Sequence, residues 1–503
     1  MELLEQCKKW NDDGEYESVV DALEILPENA RSPELDSELA RAYNNLGEPG
    51  EYKLFLQALE LLKPLEEYFR GNHKYYFRIA YSYYYLDEDG LALHYFKKAL
   101  DSKPGDADTV NMMTSCTDLI SDSNLRIKMS DRVYSMWEEV EKEVKKLDKK
   151  DKNFYSNTAD KIAAGIKKVY PKTYPKIFLQ ERILECDIAD DKSDVFMLQY
   201  IKNVMPDSLR ELFDVVIGIS AKHSIGDIIS YEGEDYDITG LRFFISDDRQ
   251  IVIYSDEFDM PIEVIEKIFI DIFGEIDLMA NDVAFDIADE SDFTETSDDT
   301  CNIVRGFDNK EEFLRECVDY KGLRDRAWSK GLRLGIDAKS YLKMYSGYQL
   351  QSIDEEEVRE DIYTGTTCLP SLVSEYISSG LFDKMPIMDD LYRNGVAAGF
   401  FCFDIGRDKY SKDSMEYEFD IMNLRNQLME YIMKKLREKG RIHDIAFLEG
   451  ATGKRYGYLD FLIFGSFMDI MNAAYDFFKM NEVLFAGYKT FRKISKIIMF
   501  VEE

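Results

Sequence analysis

Residues His73 to Asp106 read HKYYFRIAYSYYYLDEDGLALHYFKKALDSKPGD, 34 positions in two halves. In the first half Tyr76, Ile79, Ala80 and Tyr83 recur at the three- and four-residue spacing of one helix face. In the second half Ala92, Phe96 and Ala99 do the same. Ala80, Ala92 and Ala99 are small enough to let two helices approach closely, while Tyr76, Tyr83 and Phe96 fill the space between neighbouring pairs. Pro104 blocks helix continuation, and Gly105 relaxes the turn after it. The stretch predicts two helices joined by a short turn. One such pair cannot bury its own apolar surface, so like units must stack on it.

The flanks supply them. Residues 1–33 carry a degenerate copy, with Gly14 at the turn, Tyr16, Val19 and Leu23 on the second helix, and Trp10 placed to close the stack. Another copy begins near Pro33. Leu39, Ala40 and Tyr43 mark its first helix, and NLGEPGEY turns through Gly47, Pro49 and Gly50. A long second helix is expected from Lys53 to Arg70, bearing Phe55, Leu59, Leu62 and Phe69. Ala107 to Ile120 reads as a closing helix. The order of residue sizes, bulky–apolar–small–Tyr and then small–bulky–small–Pro, resembles the tetratricopeptide (TPR) repeat. The expectation is an N-terminal all-α, TPR-like solenoid over residues 1–120. Such units present surfaces and carry no chemistry of their own.

Residues 121–150 are expected to form a bridging helix. From Ser123 to Lys150 an apolar stripe of Leu125, Met129, Val133, Met136, Val140 and Val144 faces alternating charge. Its Lys-rich end reads as cations complementing a helix C-terminus rather than a binding patch. Residues 151–300 read as a mixed α/β domain. A helix over Thr158–Tyr170 stops at Pro171. Strand-like runs follow at Arg182–Asp187, Val195–Ile201, Asp214–Ser220, Leu241–Ser246 and Gln250–Tyr254, with a short Pro-started helix at MPDSLRELF. Pro261 opens a helix that ends at Gly274, before a strand at Asp282–Ile287. Ala288–Asn302 is an acidic, Ser/Thr-rich linker or exposed loop. Residues 301–503 close with strand VAAGFFCFDI, helix Phe419–Lys439, strand His443–Leu448, turn GATG, strand RYGYLDFLIF, helix Phe467–Met480 and strand Phe485–Arg492. That β-α-β-β-α-β order is the split βαβ, ferredoxin-like arrangement. The fold class expected is α+β: the solenoid, then two mixed α/β domains.

The chain carries 63 Lys and Arg against 98 Asp and Glu, a net charge of −35. That balance argues against nucleic acid and anionic membrane as partners, since both require a basic footprint. It permits a basic protein partner steered by charge. Seven scattered cysteines, with no C-x-x-C and no Cys/His pair at zinc spacing, argue against a metal knuckle or disulfide framework. The first residues lack a signal-peptide apolar core, and no apolar run approaches a membrane span. A reducing cytoplasm is the expected compartment.

Three stretches invite a site. On the repeat template Lys74, Phe77, Tyr81 and Tyr84 point to the concave face, joined from the preceding unit by Arg41 and Asn44. An aromatic groove with scattered polar donors suits a protein or peptide partner; the alternative is that this face packs against the rest of the chain. Gly450-Ala451-Thr452-Gly453-Lys454 suggests a phosphate loop. It lacks the four residues between its glycines and the Ser/Thr after Lys, since Arg455 follows, so a tight β-turn is expected. Gly450, Thr452, Lys454, Arg455 and Tyr456 are the residues that would line a pocket at this hairpin tip. The acidic residues Asp286, Asp289, Glu290, Asp292, Glu295, Asp298 and Asp299 lack the register of a calcium loop. Asp404, Asp408 and Asp413 follow a strand but have no identifiable nucleophilic or basic partner. No catalytic residue, cofactor or metal is assigned.

Several segments together, RIKMSDRVYSMWEEVEKEV, MPDSLRELFDVVIGI, YLKMYSGYQL, TGTTCLPSLVSEY, NGVAAGFFCFDI and GATGKRYGYLDFLIF followed by FAGYKTFRK, resemble the uncharacterised TPR-repeat proteins of Clostridia-type gut Firmicutes. The resemblance implies a cytoplasmic bacterial protein with an N-terminal repeat array, and brings no activity with it. The function expected is non-enzymatic: a protein-binding adaptor or regulatory scaffold using the TPR groove. The alternatives are an acidic immunity or inhibitor protein that occludes a basic toxin or enzyme, and an enzyme with its site in the C-terminal α/β layer.

Overall fold

The computed structural model describes residues 3–27, 30–48, 52–86, 89–123, 128–189, 191–256, 260–293, 304–350, 357–380, 385–410, 415–481, 483–493, 495 and 497–502. Two compact units divide the chain. One contains Met1–Asp131 and Gly347–Glu503, and the other Arg132–Ser346. The fold is α+β, with a helical N-terminal region, small mixed sheets and a seven-stranded antiparallel sheet. Among the described residues no helix is long and apolar enough to cross a membrane.

The first unit opens with α1 (Leu3–Asp13), α2 (Tyr16–Glu24), α3 (Pro33–Leu46), α4 (Lys53–Leu62), α5 (His73–Tyr85), α6 (Asp89–Ser102) and α7 (Ala107–Ser123). Each packs on the next, and α3 lies against both α1 and α5. Side-chain caps fix where odd-numbered helices start. Ser32 accepts from Leu35 N–H, Asn72 from Tyr75 N–H, and Asp106 from Thr109 N–H. One continuous core takes Ala40, Tyr43, Tyr76, Ile79, Ala80, Ala92, Phe96 and Ala99, as their spacing required, and Trp10 packs at its margin. The second helix of the middle copy is shorter than expected. It stops at Leu62, because Pro64 cannot donate to the α-helical ladder and a 3-10 turn over Lys63–Leu65 replaces it. Pro49 and Gly50 lie outside the described residues.

Helix α8 (Met129–Lys145) buries Met129, Val133, Met136, Val140 and Val144, the expected stripe; Leu125 lies outside the described residues. It ends before Lys150 because the Asp148 and Asp151 carboxylates capture the N–H groups of Lys150 and Asn153, a competing local geometry. In the second unit follow α9 (Phe154–Val169), β1 (Lys176–Phe178), β2 (Ile183–Cys186), α10 (Lys192–Asn203), α11 (Asp207–Arg210) and β3 (Asp214–Ile217). Next come the hairpin β4 (Ile228–Tyr231) and β5 (Glu234–Asp237), then β6 (Arg242–Ile245), β7 (Ile251–Tyr254), α12 (Ile262–Phe273), α13 (Glu275–Asn281) and β8 (Phe285–Ala288). Helices α14 (Lys310–Glu316), α15 (Leu323–Ser329) and α16 (Ala338–Tyr341) complete it. Two parallel pairs, β2 with β3 and β7 with β8, are each joined through helix. Val195–Ile201, expected as a strand, lies in α10. Asp191 and Asp194 form a capping box there, and the helix is buried nearly all round, so its apolar run hides the helical period. Residues 294–303, most of the acidic linker with Glu295, Asp298 and Asp299, lie outside the described residues.

The C-terminal part of the first unit holds one sheet, in the order β15-β14-β11-β13-β12-β10-β9. Its elements are β9 (Ser346–Tyr348), β10 (Ile362–Thr367), α17 (Pro370–Ser378), α18 (Pro386–Arg393), β11 (Ala397–Asp404), α19 (Glu416–Glu438), β12 (Ile445–Gly453), β13 (Gly457–Ile463), α20 (Phe467–Met480), β14 (Phe485–Thr490) and β15 (Ile498–Glu502). The β11-α19-β12-β13-α20-β14 order is the one expected; β9, β10 and β15 widen the sheet beyond it. Helices α19 and α20 cover one face, burying Phe401, Phe403, Leu459, Phe461 and Ile463. On the other face the Arg359 guanidinium is bidentate to Asp460, at 2.5 and 2.8 Å. The rings of Phe400, Phe491, Tyr458 and Tyr376 surround it, their centroids 4.6–5.8 Å away. Burial opposes the charge, yet Asp460 holds Arg359 firmly protonated.

The GATG turn is also corrected. Gly450 to Gly453 run inside β12, paired with β10, and the chain reverses at Lys454–Arg455, closed by Gly453 N–H to Tyr456 O at 2.8 Å. The glycines serve close approach. A Cβ on Gly450 would lie 2.0 Å from the Tyr458 carbonyl oxygen, and one on Gly453 2.2 Å from the Asp361 carboxylate.

Candidate functional site

A cavity of about 340 Å3 opens in the helical array, walled by the odd-numbered helices. Arg41, Asn44, Lys74, Phe77 and Tyr81, all expected on the concave face, line it together. Tyr84 is not part of the lining; its ring meets Tyr85 edge-on at 5.1 Å. Asp12, Asn45, His73, Arg78 and Asp108 complete the wall. Lys74, Arg78 and Tyr81 follow i, i+4 and i, i+3 steps along α5, and His73, Phe77 and Tyr81 two i, i+4 steps, so the helical period contains the signal for His73 and Arg78. Asp12 and Asp108 belong to helices read only as the ends of the stack.

The polar groups fall into two layers. In the inner layer every charged group is bonded, while the buried Asn11 Oδ1 has no hydrogen-bond partner among the described residues. Arg78 donates to the Ser37 hydroxyl and carbonyl at 2.6 and 2.8 Å and to Glu38 at 2.8 Å. Asn11 donates to the other Glu38 oxygen at 2.8 Å. Asn44 donates to the Arg78 carbonyl at 2.9 Å and accepts from Ser82 at 2.7 Å. Burial pulls the Arg78 pKa down, against the pull of Glu38. This layer locks α3 to α5. Asn44, expected as a partner-binding donor, is spent here.

The outer layer faces the opening. Arg41 donates to Asp12 at 2.8 Å and holds that carboxyl below the usual range. His73 Nε2 lies 3.1 Å from the Thr109 hydroxyl and 3.2 Å from Asp106. Lys74 is exposed, with no ion pair among the described residues. Phe77 and Tyr81 form the apolar wall, ring centroids 6.2 Å apart, and Tyr81 also packs on Tyr85 at 4.7 Å. Burial first, and then Tyr85, pushes the Tyr81 phenol well above its usual range. The opening thus offers an aromatic surface, one uncommitted ammonium and a compensated Arg41–Asp12 pair.

At the hairpin between β12 and β13 the polar groups hold the turn. The Asp361 carboxylate accepts from Arg455 N–H and Tyr456 N–H, both at 2.9 Å, and from the Tyr458 hydroxyl. Arg455 Nε donates to Asp404 at 3.1 Å. Burial raises the Asp361 pKa in spite of the donors around it. Asp404 also accepts from Gly406 N–H at 2.7 Å; Asp413 lies outside the described residues. Among the described residues no group of three or more His, Cys, Asp or Glu is placed to hold a metal ion. No family model, curated protein or solved structure matches the chain.

Proposed function

We propose that this chain is a cytoplasmic adaptor or regulatory scaffold. In this reading residues 1–120 form a TPR-like solenoid, related to those of Clostridia-type gut Firmicutes, that docks a protein or peptide segment in its groove. The C-terminal β-α-β-β-α-β layer is read as ferredoxin-like, with the order β14-β11-β13-β12. The observation that carries the function is the convergence of Arg41, Lys74, Phe77 and Tyr81 on one cavity, above an inner layer in which Arg78, Glu38 and Asn44 are bonded to one another or to their neighbours. A rigid floor and an aromatic, partly uncommitted wall favour docking, because little order is lost when a partner binds. The reading is non-enzymatic because Asp361, Asp404 and Arg455 are spent on holding the hairpin tip. Cys7, Cys186, Cys317 and Cys402 carry free thiols, in keeping with a reducing compartment.

A second reading, the acidic inhibitor, is favoured by the net charge of −35 and by a cavity of about 330 Å3 in the second unit. Tyr231, Tyr236, Glu232, Glu234 and Glu263 line it without a cation. The test is affinity capture with the full chain beside a Lys74→Ala, Tyr81→Ala variant whose fold is checked by circular dichroism. A partner lost with the variant supports the groove. A basic partner kept by the variant and released by salt supports the inhibitor.

A further inference from the structure

The second unit contains a cleft of about 620 Å3 that the sequence analysis does not anticipate. One wall is β3 and its continuation to Ala221; the other comes from Phe273–Asp277 and Gly335–Lys339. Strand β3 is the edge of its sheet, with β2 on one side only. Asp214 N–H and Gly218 N–H donate to the carbonyls of Arg182, just before β2, and Cys186, at its end. By strand alternation the N–H and C=O of Ile217 point the other way, toward the cleft that Ile217 lines. Among the described residues they have no hydrogen-bond partner. Two residues further on, Ile219 shows what this edge takes. Its N–H donates to the Glu275 carboxylate at 2.9 Å, and its C=O accepts from Glu275 N–H at 3.0 Å.

The charges around the cleft decide the ligand class. Lys202 pairs with Asp214 at 3.0 Å. Arg324 is spent on the Ile272 and Phe273 carbonyls, at 2.6 and 3.2 Å, and on Asp277. Asp277 accepts from Gly335 N–H and Ile336 N–H, and Asp337 caps Ser340 N–H. Of the lining cations only Lys339, exposed at the rim, has no ion pair among the described residues. A phosphate-rich ligand would need several such cations. What the cleft offers instead is an unpaired strand edge and an apolar floor, beside the Gln199 and Asn203 carboxamides, which bond each other at 2.7 Å; edge and floor match an amide main chain with apolar side chains.

We propose that this cleft receives an extended peptide segment of a partner protein, added beside β3 with an acidic side chain set against Lys339. This site stands apart from the groove in the array and does not depend on that reading.

The test uses the full chain and two N-acetylated, C-amidated octapeptides, one alternating Val with Glu and one alternating Val with Lys. Binding is followed by fluorescence anisotropy, and protection by amide hydrogen exchange at Ile217. The chain's net charge favours the Lys peptide non-specifically, so preference for the Glu peptide is diagnostic. The expected result is that the Glu peptide slows exchange at Ile217 about tenfold or more, and that N-methylating its alternate amides weakens it about tenfold. Lys339→Glu, an exposed change, shifts preference toward the Lys peptide by about fivefold. Unchanged exchange at Ile217 with both peptides overturns the proposal. So does binding of the Glu peptide that is indifferent to N-methylation, or binding of the Lys peptide alone.

Discussion

The helical array and the seven-stranded sheet each bury an arginine between structural elements, and they surround it differently. Arg359 meets Asp460 through two bonds, with four aromatic rings around it. Arg78 meets Glu38 and Ser37 but also forms part of a cavity wall, with Lys74 and Tyr81 beside it. A sealed pair can only stabilise or fail. A pair that floors a cavity can hold neighbouring groups in place for something else. The difference separates an arginine enclosed by its own unit from one that borders a cavity.

The largest expected effect breaks the sealed pair. Asp460→Asn leaves a buried guanidinium without its counter-charge and should cost about 3–5 kcal/mol of stability, read from urea unfolding. Glu38→Gln keeps the shape of the inner layer in the array but sets an amide N–H against Arg78 or Asn11. About 2 kcal/mol is expected, with the same readout. An equal loss from both substitutions would erase the distinction drawn between them.

The hairpin tip gives a pH signature. The Asp361 pKa is raised in the folded state, so the folded protein holds a proton that the unfolded chain releases. Stability contributed by this group is full below the ordinary carboxylate range and falls as pH rises through the raised value. Asp361→Asn should flatten that part of a profile of unfolding midpoint against pH; an unchanged slope would assign it to other groups. The smallest effect on stability belongs to Lys74→Ala, expected within about 0.5 kcal/mol of the parent because the ammonium is exposed and unpaired. Its measurable consequence should be confined to partner capture.

The array was legible because its information is local. Tyr76, Ala80, Phe96 and Ala99 declare their helix faces within a few residues of one another, and the same period carries Lys74, Phe77 and Tyr81 to one wall. Asn44 shows the limit of that reasoning. Its position on α3 was legible, but its bonds to Arg78 and Ser82 depend on how closely α5 approaches. The four central strands were legible from apolar runs and breakers. Strand β10 was hidden, since TGTT carries little β-branched apolar signal and its register depends on β12, more than eighty residues on. Val195–Ile201 misled for the converse reason: burial on all sides removes the polar face that reveals a helix. The cleft beside β3 has no sequence motif, because what it offers is main chain.

The first unit is made from both ends of the sequence, with the 215 residues of the second unit (132 to 346) inserted between them. Synthesis imposes an order on such a molecule. At ~5–20 residues per second, translating the insert takes roughly 10–40 s, during which the array exists without the strands of its own unit. Met129 N–H and Ser130 N–H, which finally bond the Gly395 and Phe464 carbonyls, must wait for that chain to emerge. Over that interval the nascent array relies on nearest-neighbour stacking of helices and on the Arg78–Glu38 layer between α3 and α5. The residues that line the array's cavity, Asp12 to Asp108, are thus all synthesised before any strand of the sheet.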